Sequence, residues 1–187
     1  IVYVAYSQDV YTKKQLYLSR YDGMVVEVWD NDGPGWTTTF ADGDPFRSSI
    51  GYISSHMLAI DSSGILYVTY SSTYVDISDR IDHYYRRIIL TRYDGTVDSD
   101  LISGRTDSAH NPQLAIDSSG IVFVTYDQSD GEHSHIFLNR YDGAVVEIWD
   151  RNNYERPGWT THLSYGDPID TCKDNHAGSP QLAIDSN

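Results

Sequence analysis

Residues 114–126 read LAIDSSGIVFVTY. A short apolar run ends in Asp-Ser-Ser-Gly, and a run rich in β-branched and aromatic residues follows. That order spells strand, tight turn, strand, with Gly120 free to take the positive φ the turn needs. The same unit occurs at residues 58–70 as LAIDSSGILYVTY. It occurs a third time in two pieces, LAIDSN at 182–187 and IVYVAY at 1–6. Joined tail to head, the pieces restore nearly the same unit. The chain therefore reads as a three-fold repeat cut inside one repeat. LAID begins at 58, 114 and 182, which sets repeats of approximately 1–57, 58–113 and 114–181, with 182–187 starting the next.

Other markers keep the same phase. Arg-Tyr-Asp-Gly occurs at 20–23, 92–95 and 140–143, each time after an alternating apolar run. VVEVWD at 25–30 and VVEIWD at 145–150 are each followed by a Gly/Pro turn and GWTT, whereas the middle repeat carries TVDSDLISG at 96–104 instead. Each repeat so holds four strand candidates: LAID, the GIVFVTY run, the run before Arg-Tyr-Asp-Gly, and the VVEIWD to GWTT region. The second of these is apolar on both faces (Val122, Phe123, Val124), which marks a strand covered on both sides. No segment carries a helical period. Antiparallel four-stranded units repeated along the chain imply an all-β fold of β-propeller blades, about three in this chain, in a single domain over 1–187. A β-sandwich would explain the strands but not the recurring markers. Propellers have about 4–8 blades, so the expectation is a ring completed by another copy of the chain or by the rest of a longer polypeptide. The tail and head hexapeptides are then expected to lie beside complementary strands.

Composition narrows the partners. Lys plus Arg number 13 against 27 Asp plus Glu, a net charge of −14. A phosphate backbone would be repelled, which argues against nucleic acid. No run of about 18 apolar residues exists, so no helix-type membrane span is expected. The single Cys172 allows no intrachain disulfide. An extracellular or cell-surface setting is the expectation for such a module.

The run Pro-Gln-Leu-Ala-Ile-Asp-x-x-Gly-x-x-x-Val-x-Tyr at 112–126, followed by an apolar strand and Arg-Tyr-Asp-Gly, resembles the repeats of sialidase-like (BNR, Asp-box) β-propellers. The family's box, Ser-x-Asp-x-Gly-x-Thr-Trp, is degenerate here: Asp22-Gly23 matches its turn, but Gly-Trp-Thr-Thr comes over a dozen residues later. The resemblance implies the propeller fold. An active sialidase would also need an arginine triad, a Tyr nucleophile with a Glu partner, and an Asp acid. Arg20, Arg92 and Arg140 recur, but beside hairpin turns, where pairing with a carboxylate or covering Tyr is the expected role. Asp22, Asp94 and Asp142 are expected to cap their hairpins by accepting backbone N–H bonds two residues on. No catalytic residue is assigned.

Candidate ligand-binding residues come from the segments before each LAID, read as loops. They carry His56, His110 and His176, with Asp107, Asp170 and Asp174 nearby. Such groups suit a polar site or a metal, although the histidines stand at unequal distances from the following Leu. Acidic Gly-containing loops with Asp30, Asp32, Asp42 and Asp44 are oxygen-rich and suit Ca²⁺. Trp29, Trp36, Trp149 and Trp159 could stack on sugars or pack blade on blade. Three functional expectations follow: a non-catalytic module for binding or assembly, part of a sialidase-like glycoside hydrolase, or a Ca²⁺-dependent glycan-binding lectin.

Overall fold

The structure is a computed structural model that describes residues 1–10, 13–30, 35–38, 52–76, 83–103, 108–129, 131–150, 158–161, 163, 167–170 and 176–185. Thirteen strands account for the regular structure: β1 (Val2–Val10), β2 (Lys13–Tyr21), β3 (Val26–Asp30), β4 (Gly35–Thr37), β5 (Ile53–Ile60), β6 (Leu66–Asp76), β7 (His83–Tyr93), β8 (Val97–Leu101), β9 (Ser108–Ile116), β10 (Val122–Ser129), β11 (Ser134–Tyr141), β12 (Val146–Asp150) and β13 (Gly158–Thr160). They form three antiparallel sheets, with no helical element among the described residues. The first sheet has the order β1-β2-β3-β4, the second β5-β6-β7-β8, and the third β13-β12-β11-β10-β9.

The LAID unit folds as its sequence says. Asp117 C=O accepts from Gly120 N–H at 3.1 Å, and Asp61 C=O from Gly64 N–H at 3.1 Å. Both glycines sit at φ +87°, the left-handed region a side chain resists. Cross-strand partners fix which residues are equivalent. Val2 opposes Tyr21, Leu66 opposes Tyr93 and Val122 opposes Tyr141. Each of these hairpins therefore occupies the same place in its own sheet.

The sheets stack face to face in chain order. Successive residues of a strand point to opposite faces. Leu66, Val68 and Tyr70 of β6 pack with Leu16, Leu18, Trp29 and Trp36 of the first sheet. Tyr67 of β6, with Ile88 and Leu90 of β7, packs with Val122, Val124 and Tyr126 of β10. The middle sheet is thus apolar on both faces because it has a neighbour on both.

Two expectations are corrected. The VVEVWD to GWTT region is two strands, since its turn closes a further hairpin that sets Trp29 against Trp36 and Trp149 against Trp159. The third sheet therefore has five strands, and the four of the first sheet are not the same four as those of the second. His56 and His110 lie within β5 and β9 rather than in loops. The strand runs on past Leu because a bulge absorbs one extra residue: Ser55 takes φ +48° and Asn111 φ +49°. Pro112 follows that bulge, where its missing N–H disturbs no ladder. Among the described residues, 182–185 form no strand and β1 pairs on one side only, with β2. In the second and third sheets that position is filled by the LAID strands β5 and β9.

Candidate binding face

The turns at one end of the sheets are occupied by carboxylates in structural roles. Asp22 Oδ1 accepts from Met24 N–H at 2.9 Å and Val25 N–H at 3.0 Å, and Asp142 Oδ1 from Ala144 and Val145 N–H at 3.0 and 2.9 Å. Asp94 Oδ1 accepts from Thr96 N–H at 3.2 Å and its hydroxyl at 2.9 Å. These bonds hold all three carboxyls below the usual Asp range. The hairpin capping expected from sequence is present in all three repeats.

The recurring arginines stand next to these turns on three separate sheets. Arg20 Nε donates to Glu27 at 2.5 Å, Arg140 Nε to Glu147 at 2.6 Å, and Arg92 Nη1 to Asp94 at 2.6 Å. Arg20 lies 4.5 Å over the Trp36 ring and Arg140 4.7 Å over Trp159. Each guanidinium is therefore spent on a carboxylate of its own sheet and, in two cases, on an indole face.

The opposite end carries the histidines. His56 Nε2–H donates to Ala5 C=O at 3.0 Å, tying the second sheet to the first. The carbonyl only accepts, so the ring proton sits on Nε2. His110 Nδ1 accepts from Arg86 Nη1 at 2.9 Å, tying the third sheet to the second. Arginine has no acceptor, so Nδ1 is unprotonated in this contact. Burial, and then the nearby Arg86 charge, push the His110 pKa below the ordinary imidazole value. His176 follows the third sheet. It is exposed, with its ring 6.0 Å from that of His133, which in turn lies 6.3 Å from His135. The three histidines picked from sequence thus engage three different sets of partners rather than one site.

Asp107, Asp174, Asp32, Asp42 and Asp44 lie outside the described residues. Asp30 ends β3, opposite Gly35. Among the described residues, no three His, Cys, Asp or Glu side chains group in a way that could hold a metal ion.

Other residues at this end carry more of the architecture than those the sequence singled out. Asp127 is buried and accepts from Asn111 Nδ2 at 2.8 Å, directly across from His110 in the β9–β10 register. Its equivalent Ser71 is buried too, and donates through Oγ to Ala109 C=O of the third sheet at 2.9 Å. Asp170 is a clasp: Oδ2 accepts from Ile136 N–H at 2.6 Å, while Ile169 N–H donates to Ile136 C=O at 2.8 Å. The second sheet has the same clasp, with Ile102 N–H to Ile88 C=O at 2.9 Å and Ser103 Oγ accepting from Ile88 N–H at 2.9 Å. Aligning the residue just after each Val-x-Tyr (Ser7, Ser71, Asp127) would have flagged the first two of these positions.

The tryptophans form two equivalent cages with unequal cover. Trp29 and Trp36 meet edge-on at 5.7 Å and are buried under Tyr93 of the second sheet, whose hydroxyl accepts from Trp36 Nε1 at 3.2 Å. Trp149 and Trp159 meet edge-on at 5.6 Å, and Phe123 adds a third ring 6.1 Å from Trp159. This second cage is only half-buried. Comparisons with protein-family models, with curated proteins and with solved structures find no match for the chain.

Proposed function

We propose that the chain is a run of β-propeller blades acting as a non-catalytic module for binding or assembly. The observation that carries this reading is the repetition of one packing face between successive sheets. Leu66, Val68 and Tyr70 of the second sheet pack on Leu16 and Leu18 of the first, and their equivalents Val122, Val124 and Tyr126 of the third pack on Ile88 and Leu90 of the second. Radial succession of such sheets is what a propeller is made of. The polar residues that could have served a reaction support the non-catalytic side. Arg20, Arg92 and Arg140 are held on separate sheets by Glu27, Asp94 and Glu147, a poor arrangement for clamping one substrate carboxylate.

The test is turnover of a fluorogenic sialoside by the purified chain. The expected result is no release above buffer. Turnover that is lost in Arg140→Lys, which keeps a charge for Glu147 but not the planar fork, would contradict the reading. A glycan-binding role has one specific observation in its favour, the half-buried cage of Phe123, Trp149 and Trp159 with Arg140 above it. A glycan array probed with the chain and with Trp159→Ala tests it; retention that disappears in the variant is the result for a lectin.

A further inference from the structure

We propose that the contact between Arg86 and His110 is a proton-operated latch between the second and third sheets, closed while the imidazole is neutral and released when it takes up a proton from solvent. Such a device needs only that the two sheets touch at this end, whether or not they are blades.

The geometry of the pair decides what a proton does. Arg86 stands on β7 and His110 on β9, so their 2.9 Å contact crosses from one sheet to the other. The guanidinium only donates, which leaves Nδ1 with the lone pair and puts the ring's proton on Nε2. A second proton therefore has one place to go, Nδ1, the atom that faces Arg86. Its arrival removes the acceptor and sets an imidazolium against a guanidinium that stays charged throughout the range in which histidine titrates. Arg86 is exposed and His110 half-buried, so solvent reaches the pair. The first junction makes a contrast. His56 holds Ala5 C=O through Nε2–H. A bond donated by a ring N–H is not broken by adding a proton to the other nitrogen.

The surroundings give the latch two positions. Asp127 is buried, directly across from His110 in the β9–β10 register, with Oδ1 accepting from Asn111 Nδ2 at 2.8 Å. A protonated ring is repelled by Arg86 of the second sheet and attracted by Asp127 of its own. Burial first, then Arg86, hold the imidazole pKa below the ordinary value of 6.5, against the pull of Asp127. The sign follows from that direction. The neutral, latched ring prevails above pH 6.5, and the latch is lost as pH falls through the lowered value. The other strands packed on β9 are β5 and β6, and their described side chains bring no carboxylate or guanidinium. β5 contributes His56, engaged with Ala5, and β6 contributes Tyr67 and Tyr70. On β7, Arg87 follows Arg86 and so points to the opposite face.

Release is confined to one end of the junction. Ile88 and Leu90 still pack with Val122, Val124 and Tyr126, and Asn139 Nδ2 still donates to Ile102 C=O at 3.1 Å. None of these groups titrates near neutral pH. Beside the latch, Ser71 Oγ donates to Ala109 C=O at 2.9 Å, so the stretch that gains freedom is the start of β9. Acid thus opens a sub-global unit while the core beneath it stays closed.

Two measurements on the whole chain test this. The first is amide exchange at about pH 7.5 and about pH 5.5, either side of the ordinary imidazole value, with each rate divided by the coil rate at the same pH. Protection of residues 108–110 is expected to fall about five- to tenfold in acid, the loss of a hydrogen bond, while β6 and β10 keep theirs. In His110→Gln, whose amide oxygen accepts from Arg86 but takes up no proton, protection is expected to be the same at both pH values. The second is the titration of the His110 ring by nuclear magnetic resonance, which serves even if His110→Gln fails to fold. Arg86→Gln, at an exposed side chain, is expected to move that midpoint upward. Wild-type protection at 108–110 that does not change with pH would overturn the inference. So would an equal acid loss in His110→Gln, or a His110 midpoint that Arg86→Gln leaves where it was.

Discussion

At Asp117 a single carboxylate oxygen accepts from Ser119 N–H at 2.9 Å, Ser119 Oγ at 2.7 Å and Ile121 N–H at 2.9 Å. Asp61 makes the same three bonds to Ser63 and Ile65. The Ser119 hydroxyl leads the causes that hold Asp117 below the usual carboxyl value of 3.8. Asp117→Ala leaves two turn N–H groups without this acceptor and should lower stability by about 1–2 kcal/mol, measured by urea unfolding. The pH sign is fixed by the direction of the shift. A depressed folded-state pKa contributes stability that is present above the unfolded value and lost as pH falls through the folded one. Thermal melting should therefore stay level down to about pH 4 and drop below it, with a shallower drop in Asp117→Ala. Tyr126 works the other way. Its ring is fully buried and stacked 5.8 Å from Phe137, but its hydroxyl has no hydrogen-bond partner among the described residues. Burial alone pushes that phenol pKa far up. Tyr126→Phe removes a polar atom that costs free energy where it sits, so stability should hold or rise by up to about 1 kcal/mol. A loss well beyond that would show that the hydroxyl is engaged.

The hairpins were the most legible elements, because their information is local. Asp-Ser-Ser-Gly and Arg-Tyr-Asp-Gly state a turn in four letters, and both turns form where they are written. Gly120 has open space around a hypothetical Cβ but sits at φ +87°. Gly120→Ala should therefore cost about 1–2 kcal/mol through backbone strain alone, with no steric clash to relieve. Urea unfolding checks it, and a neutral outcome would mean that the turn can change type. What the sequence hid was set by contacts distant along the chain. His56 and His110 looked like loop residues because Pro112 and the polar letters around them interrupt the apolar pattern; the bulges at Ser55 and Asn111 carry the strands through. Asp170 looked like part of a ligand site, and its role as a clasp on Ile136 depends on a partner 34 residues away. GWTT was folded into its predecessor because a three-residue strand is too short to show a period of two.

At the scale of the whole molecule, the repeat read from 58–70 and 114–126 became three stacked sheets with the middle one covered on both faces. The apolar triplet in β10 predicted double cover, but it could not say that the first sheet would present Val2 and Val4 to solvent. Exposure of that kind is a property of the neighbour, and neighbours are not written in a strand's own letters. The account turns on one claim: the middle sheet is covered on both faces, by the first sheet on one and by the third on the other. Residue-resolved amide hydrogen exchange tests it most directly. Exchange in β6 and β7 that is much slower than in β1 and β2 is the predicted result. If β6 and β7 exchange as fast as β1 and β2, the middle sheet is not covered on both faces.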